Sequence, residues 1–159
     1  MKKQSVGIIG TGNVGVAAAY ALFNQRLASE IILVDKNKNR AEGEAMDLMH
    51  GQLLVGNVNV ESGDYSDLSD AQVIVISAGI GQSSSSDSRL DLLNKNIEVF
   101  REIITELDEY APEAILVIAT NPVDILTYAT QKISSRSASK IIGTGTLLDT
   151  ARFRSLLGK

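Results

Sequence analysis

Five short and nearly uninterrupted apolar segments constrain the fold of this chain more than any other feature of its sequence. They are rich in Ile and Val and span residues 5–10, 30–35, 71–79, 114–120 and 140–143. Because apolar residues follow one another instead of alternating with polar ones, the segments predict strands buried on both faces, as in a parallel sheet. The segment 57–60 is a weaker strand candidate.

Amphipathic segments separate these apolar runs and predict the helices that connect the strands. In residues 89–110, apolar side chains recur at steps of three and four, which marks one apolar stripe on a polar helix. Residues 13–26 and 38–50 also have a helical pattern, and Gly51 follows the second. The repeated order of strand and helix predicts a doubly wound α/β fold, with a parallel sheet between two helical layers.

A glycine-rich turn joins the first predicted strand to the first predicted helix. Gly10, Gly12 and Gly15 have the G-x-G-x-x-G spacing in the strand-to-helix context that this motif requires. Gly10 would permit a tight turn, Gly12 would let the backbone approach a pyrophosphate, and Gly15 would let the helix pack closely on the strand. The positive end of the helix dipole favours phosphates there, so the turn predicts a Rossmann dinucleotide site.

An aspartate follows the second predicted strand, twenty residues after the last glycine of the motif. A carboxylate at Asp35 can accept hydrogen bonds from both hydroxyls of a ribose, and it repels a 2′-phosphate. The sequence therefore favours NAD over NADP. The alternative interpretation is a tight turn with an unrelated surface aspartate.

Composition excludes several classes of function. A length of 159 residues suits one domain, which covers 1–159. The chain has 15 basic and 19 acidic residues and no basic block, which argues against nucleic acid or anionic membranes as binding partners. The absence of cysteine excludes disulfides and thiolate metal sites, and one histidine cannot form a histidine-rich metal site. With neither a signal-peptide pattern nor an apolar run of membrane-spanning length, we expect a cytoplasmic protein.

Six motifs extend the pattern through the whole chain. They are GTGNVG, VDKNKNRAEGEAMDLMHG, ISAGIGQ, DSRLDLLNKNIEVFREII, TNPVDILTY and IIGTGTLLDTARFR. Together they resemble the NAD-binding half of the L-lactate and malate dehydrogenase family, and most closely its bacterial L-lactate dehydrogenases. The resemblance implies an oxidoreductase of glycolysis and fermentation that uses NAD and forms homo-oligomers.

The resemblance also implies roles for four charged or polar residues. Arg89 matches the arginine that polarises the substrate ketone, and Asp149 matches the aspartate that orients a catalytic histidine. Asn121 matches the asparagine that contacts the substrate oxygen beside the nicotinamide, before a cis bond to Pro122. Arg152 matches the arginine that binds the substrate carboxylate, a pairing that suits a planar guanidinium. Considered without the family, Asp149 and Arg152 would be a surface pair on one helical face.

Gln82 matches the position that recognises the tail of the substrate. Malate dehydrogenases of the family carry an arginine there for a second carboxylate, whereas a neutral glutamine favours pyruvate and L-lactate. The resemblance places the remaining cofactor contacts at Asn13, Val14, Ala78, Gly79 and Asn121.

Family members are about twice as long as this chain, and their second half supplies the histidine that donates a proton. The only histidine here is His50, at the end of a predicted helix, where a structural role is expected. We therefore expect a truncated chain, without the substrate domain, that binds NAD but lacks turnover. A fragment of a malate or 2-hydroxyisocaproate dehydrogenase, or a non-catalytic NAD-binding module, are the alternatives.

Two serine-rich segments, 83–88 and 134–139, have the composition of flexible or strongly solvated loops. The first follows a strand at the edge where α/β folds bind ligands. In the second, Arg136 stands where relatives often have an apolar residue, and the substitution suggests added surface polarity.

Overall fold

A computed structural model describes residues 4–81 and 89–158, and its described part contains six strands in one parallel sheet. The strands are β1 (Ser5–Ile9), β2 (Glu30–Val34), β3 (Asn59–Ser62), β4 (Val73–Ile76), β5 (Ile115–Ile118) and β6 (Ile141–Gly143). Their order is β3-β2-β1-β4-β5-β6, which is the doubly wound order of dinucleotide-binding folds. The fold class predicted from the apolar segments is confirmed, and the weak strand candidate at 57–60 overlaps β3, which begins two residues later.

Helices connect most of the strands, and the three that the periodicity predicts, at 13–26, 38–50 and 89–110, are confirmed as α1, α2 and α4. They are α1 (Asn13–Gln25), α2 (Lys38–His50), α3 (Gln52–Val55), α4 (Arg89–Tyr110), α5 (Val123–Ile133) and α6 (Leu147–Leu157). The Asn37 side chain caps α2 by accepting a hydrogen bond from the N–H of Arg40, and α1 ends where Arg26 adopts a left-handed conformation. Within the described ranges, no helix is long and apolar enough to cross a membrane.

The central strands of the sheet are buried on both faces, as their continuous apolar sequences predict, whereas Ile115 of β5 and Ile142 of β6 are exposed. On one face, Ile74 and Leu116 pack with Phe100 and other apolar residues of α4. On the other, Ile8, Ile31 and Leu33 pack with residues of α1 and α2. Because successive residues of a strand point to opposite faces, β1 and β2 contribute buried residues to both clusters, whereas β5 and β6 contribute only to the first and β3 only to the second. Parallel pairing of all six strands brings their carboxyl ends to one edge of the sheet.

The segment 134–139 is largely exposed, as its composition predicts, but Arg136 within it is buried. The Arg136 side chain is only 1% exposed and forms an ion pair with Asp108 of α4. The same guanidinium donates hydrogen bonds to the carbonyl oxygens of Leu107 and Ala111, and so it satisfies the C-terminal end of α4. The prediction is wrong for Arg136 alone, because composition does not reveal a partner that lies 28 positions back in the sequence.

We expect Arg136→Ala to lower the free energy of unfolding by about 3 kcal/mol, because the substitution leaves a partly buried carboxylate without its cation. Arg101→Ala is the matched control, since Arg101 is exposed and pairs with Glu98 at 3.7 Å on the surface of α4. That control should change stability by less than about 1 kcal/mol. Urea unfolding followed by circular dichroism measures both values, and equal losses would contradict a structural role for Arg136.

Candidate dinucleotide-binding site

A cavity of about 750 Å³ opens at the carboxyl edge of the sheet. The ends of β1, β2 and β4 line it together with one side of α4. The strand order reverses between β1 and β4, so the cavity lies at the topological switch point, where open α/β sheets bind their ligands. Its volume is that of a small-molecule or cofactor site.

Two glycines of the turn after β1 are required by the fold itself. Gly10 has a φ of +93°, and a Cβ atom there would lie 2.6 Å from the backbone nitrogen of Ala78. A Cβ atom at Gly15 would lie 1.9 Å from the carbonyl oxygen of Gly10. That oxygen also accepts a hydrogen bond of 2.9 Å from the Ser77 hydroxyl. The first turn of α1 therefore packs directly on the end of β1, with no room for a side chain.

Gly12 differs from the other two, because a Cβ atom there would meet no described atom within 4 Å. Gly12 is the N-cap of α1, and the first hydrogen bond of the helix runs from the Val16 N–H to the Gly12 carbonyl. The N–H groups at the start of the helix thus have no partner within the helix, and Asn13 and Val14 are exposed there. This end of α1 can receive an anion.

The Asp35 carboxylate lines the same cavity and is held by three hydrogen bonds. Its Oδ2 atom accepts from the backbone N–H of Thr11 at 2.6 Å and from the Thr11 hydroxyl at 2.9 Å. Its Oδ1 atom accepts from the N–H of Asn37 at 2.9 Å. Partial burial raises the pKa of Asp35, but these hydrogen bonds and the charge of Arg40 outweigh burial, so the pKa is lowered from its usual value. The carboxylate is therefore charged at neutral pH.

The residues after β4 form one wall of the cavity, and hydrogen bonds from Thr120 and from Asn96 of α4 hold this wall in place. Ala78 and Gly79 follow β4, and the Thr120 hydroxyl donates a hydrogen bond of 2.7 Å to the carbonyl of Ala78. Asn96 of α4 is buried and binds both backbone groups of Ile80, accepting at 2.7 Å and donating at 3.2 Å. Sequence reasoning missed Asn96, although a polar residue on the apolar stripe of α4 was a signal for it.

Tyr65 and two glutamates of α4 line the cavity beyond Asp35. Burial, together with the charges of Glu106, Glu102 and Asp35, raises the pKa of Tyr65 to about 12. The phenol thus remains a neutral hydrogen-bonding group at any physiological pH. Val34 and Ile103 add apolar surface to this part of the cavity.

The residues predicted to contact the substrate are not gathered around this cavity. Asn121 lies after β5 with a cis bond to Pro122, and both residues are exposed. Asp149 and Arg152 share one face of α6, as their spacing predicts, and their side chains pair at 3.3 Å while about two-thirds exposed. Within the ranges described, they do not line the cavity.

Two other predicted substrate contacts, Gln82 and Arg89, belong to the stretch of sequence from the end of β4 to the start of α4. Gln82 lies outside the described residues, and Arg89 is described only as the first residue of α4. The serine-rich segment 83–88 also lies outside them. His50 ends α2, which returns across the sheet between the parallel strands β2 and β3. It therefore lies at the amino edge, opposite the cavity.

The turn, the charged aspartate and the cavity at the switch point define a dinucleotide-binding domain of the Rossmann type. Residues 4–143 match the family described as lactate/malate dehydrogenase, NAD binding domain. The chain belongs to this family and is its NAD-binding domain, which confirms the resemblance seen in the six motifs. NAD is accordingly the cofactor of the domain.

Relatives of known function agree with this assignment. The chain is 63% identical over 159 residues to an L-lactate dehydrogenase of Salinibacter ruber, covering 100% of the chain and 50% of the relative. It is 49% identical to L-lactate dehydrogenase 1 of Clostridium acetobutylicum, covering 100% of the chain and 51% of that protein. The chain spans about half the length of these relatives.

Solved structures agree as well. A lactate dehydrogenase from a Medee basin deep-sea metagenome has a TM-score of 0.94 and 40% identity, over 99% of this chain and 50% of the other. The minor L-lactate dehydrogenase of Enterococcus mundtii also has a TM-score of 0.94, with 44% identity over 98% of this chain and 49% of its own.

We expect Gly15→Ala to destabilise the chain by several kcal/mol, because the added methyl group would overlap the carbonyl oxygen of Gly10. Gly43→Ala is the matched control. Gly43 lies within α2, a Cβ atom there meets no described atom within 4 Å, and alanine should stabilise the helix by about 0.5–1 kcal/mol. Thermal unfolding measures both effects, and similar melting temperatures for the two variants would contradict the close packing of α1 on β1.

Proposed function

We propose that this chain supplies the NAD-binding half of an L-lactate dehydrogenase, an enzyme that transfers hydride between NADH and pyruvate or L-lactate. The observation that carries the proposal is the meeting of the glycine turn and the charged Asp35 at one cavity, in a chain 63% identical to an L-lactate dehydrogenase. Bound NADH would supply the hydride, and the residues of this chain would hold its phosphates and its ribose.

The chain can bind the cofactor by two separate interactions. The exposed N–H groups at the start of α1 donate to the phosphates, and the open face of Gly12 lets the backbone approach them. The Asp35 carboxylate accepts from the ribose hydroxyls and repels a 2′-phosphate, because its lowered pKa keeps it ionised. Ala78, Gly79 and Asn121 follow β4 and β5, which are neighbouring strands, and so they border the same edge.

We assign the substrate roles from the family motifs. Arg89 would stabilise the negative charge that develops on the carbonyl oxygen, and Asn121 would contact the same oxygen. Arg152 would bind the carboxylate of pyruvate, and Asp149 would orient the proton-donating histidine. In the described structure Asp149 and Arg152 pair with each other, so a substrate and a histidine would replace that pairing. The neutral Gln82 favours pyruvate over the dicarboxylate that malate dehydrogenases use.

A second half, the substrate domain, would complete the enzyme by supplying that histidine. The complete enzyme would be a cytoplasmic homo-oligomer in glycolysis and fermentation. Exposed apolar side chains support association, since Leu53 is 98% exposed, Leu54 is 89% exposed and Phe153 is 62% exposed. The alternatives within the family are malate and 2-hydroxyisocaproate dehydrogenases. A non-catalytic NAD-binding module would have no use for Arg89, Asn121 and Arg152 together.

Calorimetric titration of the chain tests cofactor binding. We expect saturable binding of NADH, tighter than that of NADPH by about tenfold or more, because the charged Asp35 repels the 2′-phosphate. Asp35→Asn keeps the shape of the side chain but removes its charge, so the preference should fall. Gly12→Ala, with a Cβ atom in open space, should remain folded and lose NADH affinity. Failure of the wild-type chain to bind either cofactor would contradict the proposal.

An assay of NADH oxidation in the presence of pyruvate tests whether this chain lacks the proton donor of the reaction. We expect the 159-residue chain to give no turnover above the background rate, because its single histidine lies at the opposite edge of the sheet. A longer protein in which these residues precede a substrate domain with a further histidine should reduce pyruvate faster than oxaloacetate. Turnover by this chain alone would contradict the assignment of roles.

A further inference from the structure

We propose that Thr11 is a positioning residue, whose side-chain hydroxyl fixes the Asp35 carboxylate in the orientation that receives the ribose of the cofactor. The inference rests on the proposed function and adds to it a residue between two glycines of the motif. Thr11 is fully buried, with 0% of its surface exposed, although its side chain is polar. A buried hydroxyl needs a hydrogen-bond partner, and Thr11 has one in Asp35.

The two bonds from Thr11 reach the same oxygen atom of the carboxylate. Oδ2 accepts the Thr11 N–H at 2.6 Å and the Thr11 hydroxyl at 2.9 Å, so its two lone pairs are both used. Among the described residues, Oδ1 accepts a hydrogen bond only from the Asn37 N–H, at 2.9 Å, and one lone pair remains. The geometry therefore points to Oδ1 as the oxygen that accepts a ribose hydroxyl.

These bonds also connect the phosphate-binding turn with the ribose-binding acid. Thr11 stands between Gly10, whose conformation is fixed by contact with Ala78, and Gly12, which caps α1. Its N–H is used by Asp35, and the donors for phosphate therefore begin at Gly12. Because hydrogen bonds already hold both oxygens, the Asp35 carboxylate loses no further rotamer freedom when the cofactor binds. This preorganisation favours a higher affinity for the cofactor.

The test compares Thr11→Val with Thr11→Ser. Valine has the shape of threonine without the hydroxyl, and serine retains the hydroxyl. The readouts are NADH affinity across a range of pH and, in the cofactor-free chain, the titration of the Asp35 carboxyl carbon by NMR. The other charged and titratable groups around the carboxylate are unchanged in both variants: Lys36, Lys38, Arg40, Asp64, Tyr65, Glu102 and Glu106.

We expect Thr11→Val to weaken NADH binding by about five- to tenfold, and Thr11→Ser to remain within about twofold of the wild type. Loss of a hydrogen bond to the charged form raises the pKa of Asp35. In Thr11→Val, the protonation of Asp35 and the loss of NADH binding on acidification should both move to higher pH. A merely structural role for Thr11 would lower stability without moving either midpoint.

Three outcomes would overturn the inference. In the first, Thr11→Val binds NADH as the wild type does. In the second, valine and serine weaken binding equally, which would indicate packing alone. In the third, Asp35 titrates at the same pH in the wild type and in Thr11→Val. The third needs no cofactor, and it therefore decides the role of the hydroxyl even if the wild-type chain fails to bind NADH and the proposed function falls.

Discussion

The close contact between the first turn of α1 and the end of β1 is the constraint on which the site depends. Without a side chain at Gly15, the helix packs on the Gly10 carbonyl, and its N-terminus opens onto the carboxyl edge of the sheet. That placement puts the positive end of the helix dipole beside the cavity and brings Thr11 within reach of Asp35. Burial of β1 and β2 on both faces then holds the ends of these two strands beside the cavity.

The sequence predicts this part of the molecule well because its signals are local. Strand-length apolar runs, a glycine spacing and an acid after the second strand each depend on a few neighbouring residues, and the family motifs place them in order. The hydrogen bond between Thr11 and Asp35 was not predicted, because it joins residues separated by 24 positions. In addition, Thr11 occupies a position at which the glycine motif accepts any residue. Asn96 was missed for a similar reason.

Two ion pairs show why composition alone misleads. Arg136 and Asp108 belong to a serine-rich segment and a distant helix, yet the arginine is buried and closes the end of α4. Asp149 and Arg152 are neighbours on α6, where both side chains remain largely exposed. The residue types are the same, but burial makes the loss of one partner costly in the first pair, whereas the second pair contributes little to stability. A sequence reveals the spacing of charges and not their burial.

A titration of isotope-labelled chain with NADH, followed residue by residue in backbone amide NMR spectra, tests the central claim most directly. The central claim is that one cofactor molecule joins the start of α1 to Asp35 at the carboxyl edge of the sheet. The account predicts saturable shifts for amides of residues 10–15 and 35–37 with a single dissociation constant, and no such shifts around His50 at the amino edge. Shifts confined to the amino edge, or different dissociation constants for the two segments, would contradict it.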